Sequence, residues 1–153
     1  MPKNRDQNID PRIETLKLTI PIGPTDNRRR GLFRGRLIDT SEYRAWKQAA
    51  FYEIKRQLPL GWQPIRPSEA QQLPYIMEVF LPSRRMDAAN YDKGVRDVLK
   101  IAGVWTDDKW TLPQFRPIVV APKAPRIIVT IPLTITANRL MWPIQGLENV
   151  LVV

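Results

Sequence analysis

Acidic side chains concentrate in one stretch of an otherwise basic chain, residues 84–108. Five of the fifteen acidic residues fall there: Asp87 precedes a helix-like run, and Asp107 and Asp108 follow it. A helix that stops at Gly103, followed by a short return, would bring the two ends of the stretch together. Carboxylate oxygens are the donors that hard divalent ions such as Mg²⁺ select. The spacing therefore predicts metal-dependent chemistry on a polyanion.

The amino-acid composition excludes several kinds of active site. The 153-residue chain contains no His and no Cys. Histidine triads, histidine general bases, zinc sites built on His or Cys, and disulfides are therefore ruled out. Acid–base or metal-assisted chemistry has to use Asp, Glu, Lys, Tyr or water.

The charge balance favours a polyanionic partner. Lys and Arg number 24 against 15 Asp and Glu, which gives a net charge of +9. Such an excess is typical of proteins that bind nucleic acid or another anionic surface, although it also serves solubility alone. Because the positive charge is clustered along the chain, we favour nucleic acid.

Length and hydropathy predict one domain over residues 1–153. The sequence is 43% hydrophobic, an ordinary globular value. It has neither a long apolar run nor the apolar segment of a signal peptide, so we expect no membrane association. The lack of Cys fits a reducing compartment such as the cytoplasm. Residues 1–12 are interpreted as a loose arm, and residues 133–153 as an extension that closes the core or covers a subunit interface.

Arginines dominate the segment 28–36, which contains five of them, two Gly and no acidic residue. We interpret it as a flexible loop that contacts DNA, because Arg suits phosphate contacts and an exposed Phe can wedge or stack against bases. The alternative is a solvated loop whose Phe is folded into the core. The candidate contacts are Arg28, Arg29, Arg30, Phe33, Arg34 and Arg36.

Hydrophobic periodicity predicts a mixed α/β (α+β) fold with a small sheet of about four strands and two principal helices. Leu16, Leu18 and Ile20 alternate with polar residues, as in a half-buried strand. A hairpin connection is expected between the last two strands, at 122–125. The predicted strands are residues 15–20, 75–81, 115–120 and 126–131.

Apolar stripes at helical spacing predict the two helices. The first is expected over residues 41–58, with an N-cap among residues 39–41. Its apolar face consists of Tyr43, Trp46, Ala50, Ile54 and Leu58. The second is expected over 90–102, with Asn90 as its N-cap and Gly103 as the residue that stops it. Its apolar stripe consists of Tyr91, Val95, Val98, Leu99 and Ala102.

Local structure offers a second explanation for the charged residues of this region. Asp87 before a helix, and Asp107 and Asp108 in a turn, occupy ordinary capping positions. Lys93 and Asp97 are spaced as an i, i+4 ion pair of small energy.

The spacing in the acidic stretch matches a known pattern. The order is Asp87-Ala88-Ala89-Asn90, Lys93, Asp97, Gly103-Val104-Trp105 and Asp107-Asp108, with I-P-I-G-P-T-D-N-R-R-R upstream at 20–30. In these features, over about residues 15–131, the chain resembles the RusA family of Holliday-junction endonucleases, often encoded by phages and prophages. One position departs from the family pattern, because the second Asp of Asp-x-Asp-Asn is Ala89 here.

The resemblance implies an endodeoxyribonuclease that uses Mg²⁺, with Mn²⁺ as a substitute, to resolve four-way DNA junctions in recombination and repair. It assigns Asp87 and Asp108 to metal binding and cleavage, and Lys93 to catalysis and DNA contact. Asp87 and Asp108 would hold one or two ions, and Asp107, a third candidate catalytic carboxylate, would bind them directly or through water. Asp92, one helical turn beyond the departing position, is a further candidate ligand.

The resemblance also implies a homodimer, whose two-fold symmetry suits a junction with two opposed strands to cut. Arg84 and Arg85 would join the arginine segment in holding DNA phosphates. The expected location is the cytoplasm of a bacterial or phage-infected cell, at the nucleoid.

Ala89 leaves three interpretations open. The protein cleaves DNA with a smaller ligand set, completed by water or Asp92; it binds branched DNA without cutting; or it carries an introduced change that abolishes activity. We favour a nuclease because the rest of the pattern is present. A basic RNA-binding protein is a more distant alternative, which would not need carboxylates at these positions.

Overall fold

Ten regular elements follow one another in the computed structural model, which describes residues 13–83, 86–136 and 139–141. The predicted arm, residues 1–12, and most of the predicted extension lie outside the described residues. In chain order the elements are β1 (Ile13–Pro21), β2 (Arg30–Phe33), β3 (Arg36–Asp39), α1 (Ser41–Gln57), β4 (Leu73–Leu81), α2 (Asp92–Ile101), β5 (Thr111–Phe115), β6 (Val119–Val120), β7 (Arg126–Thr136) and β8 (Arg139–Met141).

Three long strands form the centre of a mixed sheet, which confirms the predicted fold class. Strand β7 lies between β1 and β4 and is antiparallel to both, whereas β5 and β6 pair with the far side of β4 in parallel. Leu16, Leu18 and Ile20 are buried, as their alternation predicts. The pairing of β7 with β4 ends at Thr130, so Pro132 has a strand partner only in β1. Its missing N–H therefore breaks no hydrogen bond between β7 and β4.

The two helices bury the predicted stripes, except that Leu58, just after the first helix, is only partly buried. Helix α1 buries Tyr43, Trp46, Ala50 and Ile54, and the hydroxyl of Thr40 accepts a hydrogen bond from the Tyr43 N–H at its start. Thr40 is thus the N-cap among the three candidates. Helix α2 and its flanks bury all five residues of its predicted stripe: Tyr91, Val95, Val98, Leu99 and Ala102.

Two predicted features of the C-terminal half are wrong. The strand expected at 115–120 is two strands, because the chain starts pairing with β4 at Thr111 and leaves the sheet between Phe115 and Val119, where Pro117 has no N–H to donate. The segment 122–125 is not a hairpin connection, because β6 and β7 lie on opposite sides of β4.

The predicted start of the second helix is also wrong. Residues Ala88–Tyr91 form a 3-10 turn, and α2 begins at Asp92. Asn90 makes no capping hydrogen bond in the described structure, and a side chain from elsewhere in the chain supplies the cap. No helix within the described ranges is long and apolar enough to cross a membrane.

Candidate active site

The turn after β4 carries the first group of candidate residues. Asp87 is exposed in extended conformation before the 3-10 turn, and its carbonyl accepts a hydrogen bond from the Asn90 N–H at 3.1 Å. Ala89 is exposed in that turn, and Lys93 is exposed in the first turn of α2. All three side chains are therefore open to a ligand arriving from solvent.

The chain returns towards the start of β4 after α2. Gly103, with a φ of 78°, ends the helix in the left-handed conformation that glycine adopts without strain. The Val104 carbonyl and the Thr106 N–H then bond the backbone of Ile65, and Trp105 packs 5.3 Å from the Tyr75 ring. These contacts fix the position of the Asp107–Asp108 turn that follows.

Asp107 and Asp108 lie in a turn that leads into β5. The Asp108 carbonyl accepts hydrogen bonds from the N–H and hydroxyl of Thr111, and the residue is partly exposed. The Lys109 N–H donates to the Asp107 carboxylate at 3.2 Å and, as the largest influence, lowers the pKa of that group. Lys100 approaches Asp107 only to 4.0 Å, at the solvent-exposed surface.

Asp92 belongs to a buried polar network rather than to an open site. Its two oxygens accept hydrogen bonds from the Tyr75 hydroxyl at 2.5 Å and from Arg96 Nε at 2.7 Å. Burial, reinforced by the Asp92 charge, raises the pKa of Tyr75, so the phenol stays protonated and donates. Asp108 is near enough to act electrostatically on both Tyr75 and Arg96.

The structure groups the candidate carboxylates only in part. Asp107 and Asp108 are neighbours in one turn, and Asp108 is near enough to act electrostatically on Tyr75 of the network at the start of α2. Within the part of the chain that the structure describes, no three acidic side chains are grouped closely enough to hold a metal ion. Ala89 offers no carboxylate, and both oxygens of Asp92 already accept hydrogen bonds from Tyr75 and Arg96.

Asp26 is a site residue that the sequence does not reveal. Its carboxylate accepts hydrogen bonds at 3.2 Å from the N–H groups of Lys93 and Gly94, so it caps helix α2 from 67 residues away. Burial is the largest influence and raises the pKa of Asp26, while the two N–H groups and Arg29 offset part of that effect. Asp26 thereby fixes the backbone that presents Lys93.

The arginine segment forms a β-hairpin instead of a flexible loop. Strands β2 and β3 pair from Arg30–Asp39 to Phe33–Arg36, and Phe33 is exposed rather than folded into the core. Arg29 is buried, and its Nη1 lies 2.8 Å from Asp97, so it holds the hairpin to α2. Asp97 therefore forms its ion pair with Arg29 and not with Lys93, the partner that the i, i+4 spacing predicts. The other candidates, Arg28, Arg30, Arg34 and Arg36, are exposed.

Arg84 and Arg85, two further candidate DNA contacts, lie outside the described residues. Among the candidate DNA contacts that the structure describes, Lys93 and four arginines of residues 28–36 are exposed. Asp26 and Arg29 connect the arginine segment to helix α2, which carries Lys93. Both residues follow β1 in the chain, and both contact α2. The arginine segment and the start of α2 are therefore fixed relative to each other.

Comparison with known proteins identifies the family. The family model described as Endodeoxyribonuclease RusA matches residues 20–132, well over half of the chain. No curated protein matches the chain. The matched range contains the whole arrangement from Asp26 to Asp108 described above. The chain therefore belongs to the RusA family of endodeoxyribonucleases, which cut DNA at Holliday junctions.

Proposed function

We propose that this chain is a divalent-metal-dependent endonuclease that resolves four-way DNA junctions. The observation that carries the proposal is the family match together with the exposure of Asp87 and Lys93 and the partial exposure of Asp108. These residues stand at the positions that the family pattern assigns to cleavage. Their side chains are available to solvent and hence to a phosphodiester.

The available carboxylate ligands fit a Mg²⁺ ion that keeps several water ligands, and they do not fit an ion coordinated by protein side chains alone. Mg²⁺ commonly binds through one or two carboxylates and completes its shell with water and substrate phosphate. Asp87 and Asp108 would hold the ion, with Asp107 beside them, and Mn²⁺ would substitute. A bound divalent ion supplies charge that polarises the scissile phosphoryl group and lowers the pKa of water.

Lys93 is proposed to bind the phosphate at which cleavage occurs. Its ammonium group forms no ion pair within the described residues, and the α2 backbone beneath it is fixed by Asp26. A cation held at that point stabilises the negative charge that develops on the phosphoryl oxygens. The exposed arginines of residues 28–36 would hold neighbouring phosphates, so binding should weaken steeply as salt rises.

We further propose that the protein acts as a homodimer in the cytoplasm. A four-way junction has two-fold symmetry, and a two-fold dimer would present one site to each of two opposed strands. A monomer would cut one strand per binding event and leave an unresolved nicked junction.

A branched-DNA-binding protein without nuclease activity is the second candidate. It is favoured by Ala89 and by the lack of a three-carboxylate group among the described residues. This candidate uses the same basic surface, but it predicts junction binding without product in any divalent metal.

Cleavage of a labelled four-way junction under single-turnover conditions separates the two candidates. We expect paired nicks in opposed strands with Mg²⁺ or Mn²⁺, no product with EDTA, and no product from a linear duplex of the same sequence. Tight binding without cleavage in either metal would establish the second candidate. Equal cleavage of the duplex would contradict specificity for the junction.

A further inference from the structure

The β2–β3 hairpin exposes large hydrophobic side chains on both of its faces. Leu32 is 78% exposed, Phe33 56%, Leu37 67% and Ile38 41%. Leu32 pairs with Leu37 on one face, while Phe33 and Ile38 lie on the other. A ribbon that packed on the body of the protein would bury one of these faces. The hairpin therefore presents an apolar surface without an occupant in the described structure, and such surfaces mark binding sites.

The base of the hairpin is held firmly, which distinguishes it from a mobile loop. Arg29 pairs with Asp97 of α2, and the Asp39 carboxylate accepts from Lys47 of α1 at 2.8 Å. The Thr40 N–H donates to the Arg29 carbonyl at 3.0 Å and closes the base. At the other end, the chain reverses within a two-residue turn whose φ angles, 50° at residue 34 and 74° at residue 35, are both positive. The apolar residues are thus carried on a short, fixed arm.

The positive charge of the hairpin favours nucleic acid over a second copy of the hairpin as its partner. Residues 28–36 contain five Arg and no acidic residue, and the Arg34 guanidinium lies 5.3 Å from the centre of the Phe33 ring. Asp39, the acid at the base, is already engaged by Lys47. Joining two copies of this arm would bring like charges together as the apolar side chains met. Nucleic acid would neutralise the arginines and offer base faces to the hydrophobic side chains.

We propose that the β2–β3 hairpin inserts into the branch point of DNA, where Leu32, Phe33 and Leu37 contact unstacked bases and the arginines hold the flanking phosphates. The inference rests on the proposed function, because it takes branched DNA as the substrate. Apolar side chains that enter between base steps unstack them at a cost of a few kcal/mol in duplex DNA. Bases at a branch point are already partly freed, so the hairpin would favour junctions over duplex.

Fluorescence of 2-aminopurine placed at the branch point tests the insertion directly. The experiment uses the full chain in EDTA, so that binding is observed without cleavage. We expect fluorescence at the branch point to rise about twofold or more as the base leaves its stack, and fluorescence of the same probe in the middle of an arm to stay constant. Phe33→Ala and Leu32→Ser should abolish the rise. Each should also weaken junction binding about tenfold, with less than about a twofold effect on duplex binding.

Matched controls separate insertion from other roles of the hairpin. Leu60→Ser replaces a fully exposed leucine in the loop between α1 and β4, and should leave both signals unchanged. Arg36→Gln should weaken binding to junction and duplex alike, because phosphate contacts carry no preference for the branch.

Three results would overturn the inference. If the junction binds tightly but the fluorescence is unchanged and the Phe33 and Leu32 variants bind like the parent, the hairpin is not an insertion element, while the proposed function stands. If those variants turn a dimer into a monomer in sedimentation experiments and leave the branch-point signal intact, the hairpin is an interface between copies. A chain that does not bind the junction at all contradicts both the inference and the proposed function.

Discussion

Arg29 Nη1 lies 2.8 Å from Asp97 Oδ2 and connects the base of the β2–β3 hairpin to helix α2. The Tyr43 hydroxyl also donates to Asp97, at 3.3 Å, and the Arg29 guanidinium lies over the Tyr43 ring. Burial, with the Asp97 charge as a smaller contribution, raises the pKa of Tyr43 to about 12, so the phenol remains a donor. This contact links the hairpin that we propose to bind DNA to the helix that carries Lys93.

Removing the partner of Arg29 should destabilise the fold. Asp97→Asn leaves a buried guanidinium with a weaker acceptor, and we expect the free energy of unfolding to fall by about 2–3 kcal/mol, below the full cost of breaking a buried pair because Asp97 is partly exposed. Arg56→Met is the matched control, since Arg56 and Glu53 form an exposed pair worth less than about 1 kcal/mol. Urea unfolding measures both. Equal effects of the two variants would show that the Arg29 contact is not a structural anchor.

Asp26 should make stability depend on pH in an unusual direction for an aspartate. Because its folded pKa is raised above the ordinary 3.8, its contribution favours the fold at low pH. That contribution is lost as pH rises from 3.8 through the folded pKa. Asp26→Asn keeps a capping oxygen and removes the titration. As pH rises through this window, the unfolding free energy of the parent should fall relative to that of Asp26→Asn.

Asp26→Ala tests the capping role of the same residue separately. It removes the acceptor for two N–H groups of α2 and should lower stability by about 1 kcal/mol at any pH. A parent and an Asp26→Asn variant with parallel pH profiles would contradict the burial effect. An Ala variant as stable as the Asn variant would contradict the cap.

Asp92 should matter for folding and not for metal binding. Its carboxylate is 5% exposed and satisfies both Tyr75 and Arg96. Asp92→Asn leaves the Arg96 charge without its partner, so we expect a loss of about 3 kcal/mol in unfolding free energy in EDTA. If that variant is as stable as the parent in EDTA but has lost Mn²⁺ binding, Asp92 is a ligand and the structural role is refuted.

Ala89→Asp should increase metal-dependent cleavage. The residue is exposed in the 3-10 turn that Asp87 precedes, so an Asp side chain meets no packed neighbour there. A further carboxylate would tighten the hold on a divalent ion, and we expect the single-turnover rate at limiting Mg²⁺ to rise about tenfold. Ala89→Asn has nearly the same shape without the charge and serves as the control. Identical rates for all three chains would show that this position does not contribute to the site.

Patterns of neighbouring residues predict the strands and helices whose formation depends mainly on nearby sequence. The alternation of Leu16, Leu18 and Ile20, the apolar stripe of α2 and the stop at Gly103 all follow from neighbours in sequence, and the structure confirms them. The predicted helix over 41–58 likewise matches α1 within one residue.

The remaining features depend on contacts between distant segments. Neither the N-cap that Asp26 gives to α2 nor the Arg29–Asp97 pair has a local signature, because each joins residues that are 67 or 68 positions apart. The composition of the arginine segment predicts a loop because of its two Gly and many charges, whereas its strand pairing, such as Leu32 with Leu37, forms only across the turn. The family pattern supplied roles for Asp87, Lys93 and Asp108 that spacing alone could not assign.

The single-turnover rate of junction cleavage by Asp87→Asn and Asp108→Asn tests the central claim most directly. Each change keeps the side-chain shape and removes the charge that a divalent ion requires. We expect the Mg²⁺-dependent rate to fall about 100-fold or more in each variant, with junction affinity in EDTA within about twofold of the parent. A parent chain that cuts the junction in Mg²⁺, with both variants cutting at the same rate, would contradict the assignment of this site.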